Sequence, residues 1–257
     1  MTRVFITGAS SGIGAALARQ YAAQGATLGL VARRHEVLAA LVAQLPNPQL
    51  HKVYALDVTD HAALFAAARD FIDTYGGADI VIASAGVSGG TLTEHPEDQH
   101  AFDTILATNV SATVATFAPF IASMKTQTGL RRLVGIGSVA GIRGLPGAGA
   151  YSASKAAVLC YCESLRVELR ACGIAVVTIA PGYIATPMTE ENAYPMPFLM
   201  PVARFATAAV AAIARGDSYR VIPWQMGIVA KLLRVLPNAL YDLAFSRAPY
   251  KARKENL

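Results

Sequence analysis

The side chains with the clearest chemical potential are a tyrosine and a lysine spaced like one turn of a helix. Tyr151 precedes Lys155 by four residues, and Ser138 lies thirteen residues before the tyrosine. Residues at i and i+4 share a helix face, so the ammonium can lie near the phenol. A phenol has an ordinary pKa of about 10, and a nearby cation favours the phenolate. The spacing predicts a tyrosine that exchanges protons near neutrality, although a helix surface can carry such a pair without any function.

A glycine-rich turn near the N-terminus has the composition of a phosphate-binding loop. Gly8, Gly12 and Gly14 lie between a strand-like apolar run and a helical stretch. Glycine permits a tight turn and a close approach to a pyrophosphate, and the first N–H groups of the helix face the phosphates. The spacing differs from the G-x-G-x-x-G of other dinucleotide folds. We predict a dinucleotide site here. Its other members are Ser10, Ser11 and Ile13.

The chain that positions these groups alternates short apolar runs with helical stretches over its first 180 residues. That alternation predicts an α/β fold of the Rossmann-like, doubly wound type, with a parallel seven-stranded sheet and helices on both faces. We take residues 1–257 as a single domain, since one sheet can hold a chain of this length. The predicted strands are Arg3–Thr7, Thr27–Val31, Lys52–Ala55, Asp79–Ala83, Arg132–Ile136, Ala175–Ala180 and Tyr219–Ile222.

Composition and charge argue against several classes of protein. Hydrophobic residues make up 54% of the chain, and the net charge is +5. Residues 224–257 carry +4 of that charge, from six Lys or Arg against two acids, so the remaining body is nearly neutral. We therefore expect no nucleic-acid partner. Three cysteines without metal-ligand spacing predict free thiols and no metal site. A strand begins almost directly after Met1, so we expect no signal peptide and a cytoplasmic location.

Several separated motifs together resemble the short-chain dehydrogenase/reductase family, in its ordinary single-domain branch. They follow the family's order from residue 4 to about residue 190. The matching residues are the glycine turn, Asp57-Val58, Asn109, Ser138, Tyr151-Ser152-Ala153-Ser154-Lys155, and Pro181-Gly182 with Thr186. In one place the chain departs from the family. Ala83-Ser84-Ala85-Gly86 stands where Asn-Asn-Ala-Gly is usual, which removes side chains that tie neighbouring strands and puts local rigidity in doubt.

The resemblance implies an oxidoreductase that interconverts a carbonyl and an alcohol. In reduction, a nicotinamide passes hydride to the carbonyl carbon while Tyr151 gives a proton to the oxygen and Ser138 hydrogen-bonds it. Lys155 lowers the phenol pKa and holds the nicotinamide ribose. Asn109 helps to hold a water that continues the proton relay. These four residues are the catalytic set that the resemblance implies.

The resemblance also implies the remaining cofactor contacts. Asp57 holds the edge of the adenine, Gly86 lets the cofactor approach, and Thr186 holds the carboxamide. Tyr151 and Lys155 serve the cofactor as well as the reaction. The other positions implied in the cofactor site are Val58, Pro181 and Gly182.

The end of the second predicted strand indicates which nicotinamide cofactor is used. Ala32 stands twenty residues after Gly12, where an NAD enzyme places a carboxylate on the ribose 2′-hydroxyl. Arg33 and Arg34 follow, and guanidinium groups pair well with a 2′-phosphate. We predict NADP(H). The alternatives are two solvated arginines in an NAD-linked alcohol dehydrogenase, or a catalytically silent NADPH-binding regulator, which the intact Ser–Tyr–Lys set opposes.

Two further regions bear on substrate and assembly. A substrate lid is expected at about residues 187–205, rich in Met and Pro, and it favours an apolar or lipid-like substrate over a charged metabolite. The helical segments Phe102–Met124 and Tyr151–Ala171 are apolar with few charges. In the family such helices pair across a two-fold axis, so we expect a homodimer or homotetramer.

The C-terminal segment, residues 224–257, combines apolar and basic side chains. Charges and Pro237 interrupt it, so it predicts two short helices and no membrane span. Two interpretations remain open. The helices can pack on the lid or a partner subunit, or they can lie on an anionic membrane surface as a peripheral contact. The basic residues of the second interpretation are Lys231, Arg234, Arg247, Lys251, Arg253 and Lys254.

Overall fold

A seven-stranded, all-parallel sheet forms the centre of the protein. The computed structural model describes residues 1–192 and 194–253. The strands are β1 Arg3–Thr7, β2 Thr27–Ala32, β3 Lys52–Ala55, β4 Ile80–Ala83, β5 Arg132–Ile136, β6 Ala175–Pro181, β7 Ile184–Ala185, β8 Met200–Pro201 and β9 Tyr219–Ile222. The sheet order is β3-β2-β1-β4-β5-β6-β9, while β7 and β8 pair separately. All seven predicted strands are confirmed, with no boundary more than one residue away.

Helices cover both faces of this sheet, which confirms the doubly wound fold. They are α1 Gly12–Ala23, α2 His35–Ala43, α3 His61–Tyr75, α4 Gln99–Leu106, α5 Ala112–Thr126, α6 Gly149–Glu168, α7 Pro187–Glu190, α8 Val202–Arg215, α9 Trp224–Val235 and α10 Asn238–Phe245. Side chains alternate between the faces along β1. Val4 and Ile6 enter the core beneath α1 and α8, whereas Phe5 enters the core beneath α3 and α5. This period of two places one strand in two cores.

The strand order reverses between β1 and β4. Strands β2 and β3 continue to one side of β1, and β4, β5 and β6 continue to the other. Loops leaving β1 and β4 therefore diverge, and a crevice opens outside the carboxyl ends of the two strands. The glycine turn follows β1, and Gly86 follows β4. The topology thus brings together two motifs that lie far apart in the sequence.

The long helical run before β5 is interrupted where a site residue was predicted. A π-helical turn, Ala107–Ser111, joins α4 to α5 and contains Asn109. Such turns insert one extra residue into a helix and are frequent at functional sites. Among the described residues, Pro96–Thr126 is the one helical run whose length and composition would suit a membrane span. Fully buried Phe117 and Phe120 pack that run into the core, so it serves here as a core helix.

The lid and the C-terminal segment differ in how they join the body. The short β7–β8 pair ties the start of the lid to its end, with Ile184 opposite Met200. The two short helices predicted for the C-terminal segment are α9 and α10, on either side of Pro237. Beyond α10 the chain returns to the body, where Arg253 bridges to Gly90. Ala193 and residues 254–257, including Lys254, lie outside the described residues.

Candidate active site

A cleft of about 670 Å³ lies at the carboxyl ends of the central strands. Its walls come from the turn after β1, the ends of β2, β4 and β5, one face of α6, and the start of the lid. Every predicted cofactor residue lines it: Gly8, Ser10, Ser11, Gly12, Ile13, Gly14, Arg33, Arg34, Asp57, Val58, Gly86, Tyr151, Lys155, Pro181, Gly182 and Thr186. Ser138 lines the cleft too. Asn109 is absent from its walls and is buried behind them.

Two glycines of the glycine turn have no room for a side chain. Gly8 has φ +71°, and a Cβ there would lie 2.7 Å from the Cα of Ala85. A Cβ on Gly14 would collide with the carbonyl oxygen of Gly8. Helix α1 begins at Gly12, so its unpaired N–H groups open into the cleft. A bare backbone at the N-terminus of a long helix fits a dinucleotide pyrophosphate.

Ser138, Tyr151 and Lys155 meet at the end of β5. Ser138 is buried and forms a hydrogen bond with Tyr151. Its Oγ also accepts the Ala140 N–H at 3.1 Å, which fixes its rotamer. Lys155 lies one turn beyond Tyr151 on α6, and its Nζ is 5.8 Å from the centre of the tyrosine ring. The structure therefore brings these three predicted catalytic residues together.

Burial is the main influence on the electrostatics of the Tyr–Lys pair. Burial raises the pKa of Tyr151, and its hydrogen bond with Ser138 opposes that rise only in part. Burial also lowers the pKa of Lys155 to about 8, while its ammonium donates to the carbonyl of Ile136 at 2.9 Å. The expectation that Lys155 lowers the tyrosine pKa therefore stays a prediction, because burial disfavours both charged forms and is the largest cause of both shifts. The phenol is held neutral, which is the form that can donate a proton.

Asn109 uses its side chain to brace the site. Its Oδ1 accepts the Val87 N–H at 2.8 Å, and its Nδ2 donates to the Val87 carbonyl at 3.0 Å and to Ser154 Oγ at 2.9 Å. Ser154 in turn donates to the Tyr151 carbonyl at 2.8 Å. The side chain thus joins the loop after β4 to the helix that carries Tyr151. Its side-chain amide is already hydrogen-bonded to Val87 and Ser154. The backbone of Asn109 is therefore the part that could contact the water of the proton relay.

After β4, where the chain lacks the asparagines that are usual in the family, a threonine that the sequence did not point to connects β1 with the β4 loop. Thr7, at the end of β1, is buried and donates to the Ile82 carbonyl at 3.5 Å. Its Oγ1 also accepts the Ala85 N–H at 3.4 Å. These long hydrogen bonds join β1 to the loop after β4, where the usual asparagines are absent. A polar residue at the end of an otherwise apolar strand was the signal available in the sequence.

The two arginines after Ala32 occupy different positions at the rim of the cleft. Arg33 is largely exposed and lies 3.9 Å from Asp57. Burial alone would raise the pKa of Asp57, but hydrogen bonds from Thr59 and the charge of Arg33 hold it below its usual value. Arg34 reaches back to the glycine turn, where its Nη2 donates to Ser10 Oγ at 3.3 Å. A guanidinium therefore stands on each side of the end of β2.

Thr186 begins the lid. It caps α7 through a reciprocal pair of hydrogen bonds with Thr189, in which the Thr186 N–H donates to Thr189 Oγ1 at 3.0 Å. A Cβ on Gly12 would lie 3.5 Å from the Thr186 side chain. The first turn of the lid is thereby placed directly against the glycine turn.

Comparison with known proteins decides the family. A family profile described as short chain dehydrogenase matches residues 2–195. The chain belongs to the short-chain dehydrogenase family. An uncharacterized oxidoreductase of Myxococcus xanthus is 39% identical over 244 residues, with 94% of this chain and 95% of that protein covered. A 2-dehydro-3-deoxy-L-rhamnonate dehydrogenase (NAD(+)) of Sphingomonas sp. is 35% identical, with 72% and 73% covered.

A solved structure shows the same fold. A short-chain dehydrogenase from Streptomyces avermitilis superposes with a TM-score of 0.79 at 24% identity, covering 96% of this chain and 98% of that one. This short-chain dehydrogenase is accordingly an oxidoreductase that acts on CH–OH and C=O groups. Its Rossmann-type cleft is a nucleotide-binding site.

The structure adds aromatic and basic residues around Tyr151 that no motif of this short-chain dehydrogenase indicated. Tyr183 and Tyr194 contact each other edge to face, with ring centres 6.4 Å apart. Tyr194 lies near enough to Tyr151 to contribute to the rise of its pKa. Lys251, from the C-terminal segment, has its Nζ 5.8 Å from the Tyr151 ring centre. Local spacing carries no signal for such contacts, since they join distant parts of the chain.

Proposed function

We propose that this short-chain dehydrogenase is an NADPH-dependent enzyme that reduces a carbonyl to an alcohol, with Tyr151 as proton donor. One observation carries the proposal. A neutral, half-buried phenol is hydrogen-bonded to Ser138 and stands one turn from Lys155, at the wall of a cleft with a bare glycine turn. The neutral phenol suits proton donation in reduction better than proton removal in oxidation.

Each residue of the site has a part in that reaction. The bound cofactor would supply the hydride for the carbonyl carbon. Tyr151 Oη gives its proton to the carbonyl oxygen, and Ser138 Oγ donates a hydrogen bond to the same oxygen as negative charge develops. The ammonium of Lys155 would favour the phenolate that remains and would hold the ribose of a bound cofactor. Asn109 positions the Tyr151 helix through Ser154.

The choice of NADPH is supported by the rim of the cleft. Ala32 places no carboxylate at the end of β2, while Arg33 and Arg34 line the cleft there. A 2′-phosphate would meet two guanidinium groups, and nothing at Ala32 would repel it. The NAD(+) named for the Sphingomonas relative supports the alternative of an NAD-linked enzyme. The intact catalytic set opposes a silent regulator.

Cofactor titration tests this choice directly. Arg33→Ala should weaken NADPH by about tenfold and NADH by less than about twofold, since only NADPH carries the phosphate. Arg34→Ala should behave alike, and Arg69→Ala, on the exposed face of α3 and outside the cleft, is the matched control. Affinities follow from nucleotide fluorescence. Equal losses for the two nucleotides would make the arginines structural. A screen of NADPH consumption against aldehydes, ketones, quinones and 3-oxoacyl thioesters tests turnover.

We further propose an apolar or lipid-like carbonyl substrate. The lid contributes Met188 to the cleft, and Tyr194 stands near Tyr151 with Tyr183 against it. Methionine and tyrosine supply adaptable apolar area beside a few polar groups, which suits an apolar substrate body.

The assembly that we propose is a homodimer or homotetramer. The outer faces of α5 and α6 are exposed and carry small uncharged residues, so two helices can approach closely. These residues are Val114, Ala118 and Ala122 on α5, and Ala153, Ala156 and Cys160 on α6. Light scattering at micromolar concentration should give twice or four times the mass of the chain, and a monomer would contradict the proposal.

We propose that the enzyme is cytoplasmic and touches anionic membranes through its C-terminal helices. Residues four, four and three apart place an exposed apolar stripe on one face of α9, which α10 extends. We call this surface the C-terminal apolar face: Trp224, Ile228, Leu232, Val235, Leu240 and Leu243. Lys231, Arg234 and Arg247 accompany it, and each basic residue near an anionic surface adds about 1 kcal/mol.

A further inference from the structure

The last described residues cross the body beside the active site. We call residues 249–253 the C-terminal strap. The Gly90 N–H, in the loop after β4, donates to the Ala252 carbonyl at 2.8 Å. A Cβ on Gly90 would collide with the Lys251 carbonyl oxygen, and a Cβ on Gly147 would lie 2.8 Å from the Tyr250 ring. The two loops that border Tyr151 therefore each have a glycine where the strap lies against them.

An ion cluster holds the end of the strap. Arg253 Nη2 lies 2.9 Å from Glu97 Oε1 and 2.9 Å from Asp98 Oδ1, and its Nε donates to Asp98 Oδ2 at 3.0 Å. Asp98 is buried and also accepts the Leu92 N–H at 2.8 Å. The guanidinium holds the pKa of Asp98 below its usual value. A two-pronged pair of this kind fixes orientation as well as position.

The strap brings a second ammonium to the catalytic tyrosine. Lys251 Nζ and Lys155 Nζ are each 5.8 Å from the centre of the Tyr151 ring. Lys155 turns its ammonium to the Ile136 carbonyl, at the end of β5. Lys251 comes from the side of the strap and of the loops that carry Gly90 and Gly147, away from the strand. The tyrosine thus has a second ammonium beside its ring that the motifs did not provide.

We propose that the C-terminal strap is part of the substrate site and that Lys251 selects carbonyl substrates bearing a carboxylate or another anionic group. This inference rests on the proposed reductase activity and deepens it. The aromatic lid accepts an apolar body, and Lys251 attracts a negative end near the reacting carbonyl. Arg253 acts through the strap as a positioning residue, because it holds Lys251 at Tyr151 without approaching the tyrosine itself.

Paired substrates isolate the charge. Oxo acids and their methyl esters present the same carbonyl with and without a negative charge, and NADPH consumption gives kcat/KM for each. Lys251→Met should lower kcat/KM for the acids by about tenfold or more and leave the esters within about twofold. Lys251→Arg keeps the positive charge and should keep the preference for acids over esters. Lys231→Met, which removes an exposed lysine from α9, is the matched control and should change neither.

A second measurement follows the strap without turnover. Arg253→Met should speed hydrogen–deuterium exchange at the Gly90 amide, whose acceptor is Ala252, and leave β1 unchanged. The same variant should reduce the preference for acids. Equal losses for acids and esters in Lys251→Met, or no loss, would overturn the role of Lys251 and leave the reductase standing. An unchanged exchange rate at the Gly90 amide would overturn the positioning role of Arg253. If the wild-type enzyme reduces other carbonyls but neither acids nor esters, the role of Lys251 fails and the reductase stands. If it consumes NADPH with no carbonyl of the screen, both proposals fail.

Discussion

The carboxyl edge of the sheet and the C-terminal quarter of the chain are held in different ways. At the sheet edge, backbone meets backbone: Gly8 lies against Ala85, and Gly14 against Gly8. In the C-terminal quarter, helices α9 and α10 expose large apolar side chains, with Trp224 65% exposed, and an ion cluster fastens the strap. Where backbone contacts backbone, no larger residue can be accommodated, whereas a contact between side chains can be made by several residue types. The first region suits chemistry shared by a family, and the second suits what one enzyme recognises.

The two regions also differ in what burial does. Around Tyr151 and Lys155, burial shifts both pKa values toward the neutral forms. On the C-terminal apolar face, incomplete burial leaves hydrophobic area in water, which is unfavourable unless something covers it. The first region thus buries its charged groups within the subunit, whereas the C-terminal apolar face stays exposed in it. Substitutions at the sheet edge should therefore have large effects on chemistry, and those at the C-terminal face should affect only where the enzyme is located.

The largest effect should come from the proton donor. Tyr151→Phe removes one oxygen and keeps the ring, so we expect turnover to fall by at least about a hundredfold while NADPH affinity stays within about twofold. Steady-state rates and fluorescence titration measure the two quantities. Retention of more than half of the activity would show that the sheet edge does not carry the chemistry through this tyrosine.

The glycine turn should come next. Gly14→Ala places a methyl group on the carbonyl oxygen of Gly8, so the turn must shift. We expect a loss of about 1–3 kcal/mol in the free energy of unfolding, as for other overpacked sites, and at least about a tenfold loss in NADPH affinity. Gly144→Ala is the control, because a Cβ there meets nothing within 4 Å. Denaturant unfolding measures the stability, and equal values for both variants would contradict backbone contact as the restraint.

These two predictions concern residues that the sequence already identified, and the reason is physical. Strand periodicity, glycine positions and the Tyr–Lys spacing are local, so they can be read along the chain. The direction in which the pKa of Tyr151 shifts could not be predicted from the sequence, because desolvation depends on everything packed around the phenol. Nor could the pairing of Arg253 with Asp98, since 155 residues separate them. Motifs thus predicted the sheet edge, and only the folded chain shows the strap.

The pH dependence of the enzyme sharpens the comparison. Tyr151, with its pKa raised, stays protonated through neutral and mildly alkaline pH, while Lys155 loses its charge above about pH 8. We therefore expect kcat/KM for reduction, which reports the free enzyme, to be level below that pH and to fall above it by up to about tenfold per unit. Lys155→Arg stays charged and should remove the decline. A level profile to pH 9.5 would mean that the Lys155 charge does not assist.

The smallest effect should come from the C-terminal apolar face, and it concerns location alone. Wild-type enzyme should co-sediment with anionic vesicles at low salt and be released as salt screens the basic residues. Deleting the tail would disturb the strap beside Tyr151, so substitutions separate the two roles. Trp224→Ala with Leu232→Ala should weaken vesicle binding several-fold without changing turnover of a soluble substrate.

Val167→Ala, an equally exposed apolar residue on α6, is the control for that experiment and should bind vesicles like the wild type. Light scattering of the same proteins separates a lipid from a protein cover. If the wild type does not bind vesicles and the double variant has a lower molar mass than the wild type, the C-terminal apolar face joins two subunits. A second copy of the chain then covers this face. If the wild type sediments with vesicles in a salt-sensitive way and the double variant keeps the wild-type mass, the C-terminal apolar face lies on the membrane. A face buried between subunits would stay covered with or without vesicles and could not bind them.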